Sequence, residues 1–301
     1  MTSAAATRPD VGLGHLTMLD VAPPDLVGVA AAAGFDFVGL RVAVGGPGEE
    51  RWPLSPGSPM LAETLARLRD TGLYVNDVDV LVLRPGTRAG DLEPALEVAA
   101  LLGAGHAIVM VDDEPGPAAE ALAALTTLAA GYGVRPLVEP MSYRRVRTLA
   151  DGLALVAAAP GSGLMIDPLH LARAGEGVAD VRGLDPHLAP CLQLCDAPLA
   201  TPRRLPRPRR SRLPRGQSAG TDVRQHEARA WRLPPGEGEL PLAELVAAMP
   251  SRPIGVEAPN LGLSRRLDPA ALARRHHDGV LQVLAAAGLP TATVPSLRTA
   301  G

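Results

Sequence analysis

VRPLVEP, residues 134–140, is a short apolar run that closes on a carboxylate, Glu139. Three further runs end alike: GLMIDPLH at 163–170 on Asp167, CLQLCDA at 191–197 carrying Gln193, and PIGVEAP at 253–259 on Glu257. Each reads as a strand with one oxygen-bearing side chain near its C-terminal end. In a closed barrel of parallel strands those ends meet on one face, where such barrels keep their active sites. Carboxylates gathered in a cavity need compensation, and oxygen donors drawn from several strands suit a hard divalent cation.

Working outward, the same rhythm fills the chain. Strand-like runs at 11–18, 35–42, 73–83 and HAIVMVD at 106–112 precede these four, which makes eight. Helix-length Ala/Leu segments separate them: Pro23 to Gly34, MLAETLARLRD closed by Gly72, then 91–102, 116–130, 148–158 and 269–287. Pro opens and Gly closes several of these, as helix ends require. Short Val/Leu/Ile runs, apolar on both faces, are what parallel strands covered by helices look like. A doubly wound sheet would share the rhythm, but GLGH at 12–15 is not a dinucleotide-binding glycine fingerprint. The expected fold is an α/β (β/α)8 TIM barrel, one domain over 11–290. Residues 1–10 read as a disordered lead and 291–301 as a tail.

Composition narrows the partners. Aromatics are only 2% of the chain, so the core must be filled by Ala, Val and Leu. A formal charge of −3 gives no general electrostatic reason to bind nucleic acid. Cys191 and Cys195 are the only cysteines, too far apart along one extended strand for a disulfide, and read as buried thiols. No signal-peptide pattern and no apolar run of membrane-spanning length is seen, so the expected location is the cytoplasm, with no membrane partner. The rhythm breaks once, at 198–235, where residues 203–215 hold seven Arg and no acid. This stretch reads as a flexible insertion between strands 7 and 8, or as an arm bringing Arg to the barrel mouth.

These residues resemble the sugar phosphate isomerase/epimerase family of the xylose isomerase-like barrel superfamily, over roughly 11–288. The resemblance implies a divalent ion, Mn2+ or Mg2+, held by Glu139, Asp167, Gln193 and Glu257. Gln193 departs from the pattern: it opens QLCD, where the family has H-x-x-D, and a neutral amide ligates more weakly than imidazole. DPLH matches the family's D-x-x-H, which makes His170 a substrate contact. In EARAWRLPPGEGELPL the substrate-binding Arg is Arg229 or Arg232, the register being open. The implied chemistry is enediolate formation in a small polyhydroxylated ketone, with Glu139 or Glu257 as base and His170 assisting. His15, Arg41 and Asp112 are expected to line the substrate pocket, and Asp79 lies nearby in the third strand. His276 and His277 read as a polar outer helix face. A homodimer is the assembly the resemblance suggests. The competing functions are a lyase using the same enolate, namely a dehydratase of an inosose-like or dehydroshikimate-like substrate, and a repurposed barrel without catalysis.

Overall fold

The computed structural model describes residues 8–46, 49–206 and 222–292. The expected lead over 1–7, most of the Arg/Pro run over 207–221 and the tail over 293–301 lie outside the described residues. The eight expected strands form a closed parallel barrel in sequence order. They are β1 (Val11–Gly14), β2 (Phe37–Arg41), β3 (Tyr74–Leu83), β4 (His106–Val111), β5 (Arg135–Val138), β6 (Gly163–Ile166), β7 (Cys191–Leu194) and β8 (Ile254–Val256). β1 closes on β8 through the pairs Val11↔Ile254 to Leu13↔Val256.

The connecting helices are α1 (Pro23–Ala33), α2 (Pro59–Thr71), α3 (Glu93–Leu101), α4 (Pro115–Ala130), α5 (Leu149–Ala158), α6 (Pro168–Ala174), the short α7 (Val178–Val181), α8 (Val223–Ala230), α9 (Leu242–Ala248), the short α10 (Leu261–Ser264) and α11 (Pro269–Ala286). Pro stands in the first turn of α1 to α4, α6 and α11, where its missing N–H costs nothing. Among the described residues no helix is long and apolar enough to cross a membrane.

The core has two parts. Outward-facing strand residues such as Val11, Leu13, Val38 and Leu40 join the buried helix faces in one continuous cluster. Inside the barrel, Ile108, Leu137, Met165 and Cys191 make one small layer, and Val80, Val82, Met110 and Met141 another. The scarce aromatics matter here: a Cβ on Gly12 would stand 2.1 Å from the Phe37 ring, so glycine on β1 makes the room that Phe37 fills. Both cysteines are free and buried, as expected.

Four expectations need correction. β1 stops at Gly14, and His15–Met18 form a 3-10 turn instead of continuing the strand. Residues 8–10 are not loose: Arg8 and Asp36 form an ion pair at 2.6 Å, and Ile254 N donates to Asp10 O. His276 is fully buried, because it lies mid-stripe on the inner face of α11 with Leu272, Ala273, Val280 and Val283. Burial pushes its pKa down to about 3, so it is neutral.

The fourth concerns 198–235, expected to be flexible: residues 222–235 are packed. α8 turns its residues His226–Ala230 inward, and an antiparallel bridge joins Leu233 to Asp196. The anchor is Arg173 on α6. It clasps Glu227 with two bonds of 2.7 and 2.8 Å and donates to the carbonyls of Pro198 and Leu199. Both side chains are 1% exposed. A buried, doubly hydrogen-bonded pair of this kind fixes α8 across the mouth.

Candidate active site

The C-terminal ends of β5, β6 and β8 bring Glu139, Asp167 and Glu257 around one buried centre. Asp167 follows β6 directly and caps α6, its Oδ1 accepting from Leu169 N and His170 N at 2.7 and 3.2 Å. That cap turns the first turn of α6 inward and carries His170 to Glu139, with Nε2 and Oε1 3.6 Å apart. Ligand atoms of Glu139, Asp167 and His170 all lie within 4.8 Å of one another, a group that could hold a metal ion. Ser142 Oγ sits 3.3 Å from His170 Nδ1, and Tyr143 meets the imidazole edge-on at 5.4 Å. The tautomer in which Nδ1–H donates to Ser142 leaves Nε2 as a bare lone pair, the form a ligating histidine takes.

Of the two candidate arginines, Arg232 is the one drawn in among the strand-end carboxylates. Its guanidinium is buried between two of the expected ligands: Nη1 is 2.5 Å from Asp167 Oδ2 and Nη2 3.2 Å from Glu257 Oε2. Nη1 also donates to the Glu257 carbonyl at 2.9 Å, and Nε donates to Ala228 O at 2.6 Å. Asn260 holds the Arg232 carbonyl at 2.7 Å. Glu257 thus faces a guanidinium, and the metal-competent group includes His170 rather than Glu257. Gln193 lies lower in the barrel. With Asn76, Asp77, Asp79 and Glu257 it lines an internal cavity of about 10 Å³, room for one water.

Charge divides the carboxylates. Burial drives Glu139 well above the usual carboxylate range, and the Glu257 and Asp167 charges push it the same way. Burial lifts Glu257 to about 7, with Arg232 pulling against it. Asp167 is as deeply buried, yet Arg232 and the bonds at the α6 terminus hold it below the ordinary value. Burial lowers His170 to about 4, so the imidazole is neutral.

A divalent ion fits this donor set. Glu139 Oε1, His170 Nε2 and Gln193 Oε1 are buried atoms with no hydrogen-bond partner among the described residues. The first two belong to the ligand group, and among the described residues Glu139 has no Arg ion pair of its own. Cys195 lies 4.0 Å from Asp167 Oδ1, and burial pushes its thiol well above the usual range.

The remaining candidates separate. Arg41 reaches the mouth, its Nη1 2.7 Å from Asp79 Oδ2 and its Nη2 3.2 Å from Glu49 Oε2. Arg229 also pairs with Glu49. His15 lines the internal cavity, but both nitrogens are taken, Nδ1 by Arg41 N and Nε2 by Val21 O. Asp112 sits on the outer rim, bound to Arg144 at 2.9 Å. Glu49, Ser142 and Tyr143 were not foreseen. Glu49 stands in a Gly/Pro loop without periodicity, and nothing in the sequence marked it.

The family model described as xylose isomerase-like TIM barrel matches residues 27–278. Among solved structures, a xylose isomerase-like TIM barrel/4-hydroxyphenylpyruvate dioxygenase fusion protein superposes with a TM-score of 0.71 at 17% identity. That match covers 96% of this chain and 45% of the fusion protein, so the chain spans under half of that relative's length. IolI protein with a bound zinc atom gives 0.67 at 15% identity, covering 92% and 98%. D-allulose 3-epimerase from Methylomonas sp., in complex with D-allulose, gives 0.60 at 19% identity, covering 93% and 99%. No curated protein matches the sequence. At these identities the structural likeness shows the fold. The family model spans most of the barrel, and the chain belongs to the xylose isomerase-like TIM barrel family.

Proposed function

We propose that this protein is a divalent-metal-dependent isomerase or epimerase of a small polyhydroxylated ketone. The observation that carries the reading is the group of Glu139, Asp167 and His170, with two buried ligand atoms unpartnered among the described residues. Mn2+ or Mg2+ suits a set dominated by carboxylate oxygen with one imidazole. When bound, the cation would polarise the ketone and acidify the neighbouring C–H.

The chain's own residues do the rest. Glu257, poised near 7, is the carboxylate best matched to taking a proton at neutral pH. Arg232 orients it and neutralises Asp167. Neutral His170 stands against Glu139 and is kept in place by Ser142. Delivery of a proton from the opposite face gives the epimer; return of the Glu257 proton to the adjacent carbon gives the isomer. The cavity above the site, lined by Arg41, Asp79, Glu139, Tyr143, Arg229 and Arg232, measures about 30 Å³. A sugar needs several times that volume, so substrate entry opens the mouth. The similarity to an epimerase holding D-allulose supports the substrate class.

The test is solvent exchange. Protein loaded with Mn2+, Mg2+ or Zn2+ is incubated with a panel of ketopentoses and ketohexoses, their phosphates and keto-acid analogues in D2O and followed by NMR. Deuterium entering beside the carbonyl, lost in Glu257→Gln, is expected. Loss of water from the ring would move the assignment to a lyase; no exchange in any substrate would refute the proposal.

A further inference from the structure

We infer that Arg41 and Arg229 form a receptor for an anionic group of the substrate, a carboxylate or a phosphate, and that Glu49 fills this receptor in its absence. Two guanidinium groups side by side repel one another, and burying them costs solvation as well. Here both residues are more than nine-tenths buried, at 8% and 6% exposure. They line the same cavity as Glu139 and Glu257.

One acid joins them. Glu49 Oε2 takes Nη2 of Arg41 at 3.2 Å and the Gly45 N–H at 2.6 Å, while Oε1 takes Nη2 of Arg229. Two guanidinium groups and a backbone N–H around one carboxylate are the donor set that recognises carboxylates and phosphates in general. The set is not saturated: Arg229 Nε is buried without a hydrogen-bond partner among the described residues.

The other acid at this end is accounted for differently. Asp79 binds Arg41 Nη1 from β3, on the side away from Glu49's contact with Nη2. Glu49 comes from the loop after β2. It contacts each guanidinium through an Nη, the atoms an incoming anion would use.

This inference rests on the site proposed above and narrows its substrate from any polyhydroxy ketone to an acidic one. The anion would dock between β2 and α8, with the rest of the molecule over Glu139, His170 and Glu257. Occupation exchanges the Glu49 carboxylate for the ligand's own anionic group.

The test is anion binding by calorimetry, using inorganic phosphate and glycolate as separate probes against wild type, Glu49→Gln, Arg229→Met and Glu139→Gln. Glu49→Gln removes the competing charge and is expected to bind at least one probe at least about tenfold tighter than wild type. Arg229→Met is expected to lose that binding. The preferred probe tells phosphate from carboxylate. Glu139→Gln separates the two readings: it should abolish solvent exchange while leaving anion binding intact. Equal weak binding in wild type, Glu49→Gln and Arg229→Met would overturn the receptor. Tight binding that survives Arg229→Met would overturn it too, by placing the anion elsewhere. Circular dichroism confirms that each variant is folded. Arg229→Lys, which keeps the charge, should retain partial binding and serves if Arg229→Met does not fold.

Discussion

Glu257 gives the metal-free protein a pH signature that can be worked out in advance. Its carboxyl stands at about 7 in the folded chain against an ordinary 4.5, chiefly because burial disfavours the charged form. The folded state therefore holds this proton more tightly than the unfolded state. Its contribution is fully present below 4.5 and is lost as pH rises through 7. The displacement corresponds to about 3 kcal/mol, and relaxation around the Arg232 pair reduces what is observed to about 1–3 kcal/mol. Glu139 is displaced in the same direction and adds to the effect. Asp167 is displaced the opposite way and titrates below this window. Urea unfolding of dialysed, metal-free protein at pH 5 and pH 8 reads the difference. Wild type should lose about 1–3 kcal/mol more than Glu257→Gln between the two pH values, because the amide stays neutral throughout. The same pH dependence in both proteins would show that Glu257 ionises freely, and the burial argument for its role as base would fall with it.

Three further outcomes follow from the same geometry. Arg232→Met removes a positive charge from beside Asp167 and Glu257; Mn2+ affinity by equilibrium dialysis should rise at least about tenfold, while the metal-free melting temperature falls. Arg173→Met strands Glu227 in a dry site and should cost about 3–5 kcal/mol in urea unfolding, with 227–233 exchanging amide hydrogens faster. Gly279→Ala would put a Cβ 2.3 Å from the Pro235 carbonyl. The clash should outweigh alanine's helix preference and destabilise by about 1–3 kcal/mol in thermal melts.

The barrel was legible because parallel strands under helices are apolar on both faces, and each run here is bounded by Gly, Pro or Asp. Its one early stop, at Gly14, depends on His15, whose two nitrogens are tied to Arg41 N and Val21 O. No local pattern reports a bond between neighbouring strands. α8 was hidden for a similar reason. VRQHEARA has no apolar stripe, and what buries it is the ion pair of Glu227 with Arg173, 54 positions earlier. His276 misled because a pair of histidines beside Arg274 and Arg275 resembles a solvated face, whereas the stripe through Leu272, Val280 and Val283 turns one of them inward.

The site was half legible, and the division is physical. Glu139, Asp167 and Glu257 announce themselves because a carboxylate ending an apolar run must find compensation. What supplies that compensation comes from elsewhere in the chain and leaves no mark near them. Three acids share one buried guanidinium, and it is not shared equally. Asp167 has the shortest contact and the α6 terminus, so it stays charged. Glu257 keeps a longer contact and is left near 7, while Glu139, with no direct ion pair to a guanidinium among the described residues, is pushed well above the usual carboxylate range. Environments that separate the pKa values of neighbouring carboxyls assign them different tasks. Here the position of Arg232 makes that separation: it leaves Glu139 beside His170 in need of a positive ion, and Glu257 able to give and take a proton.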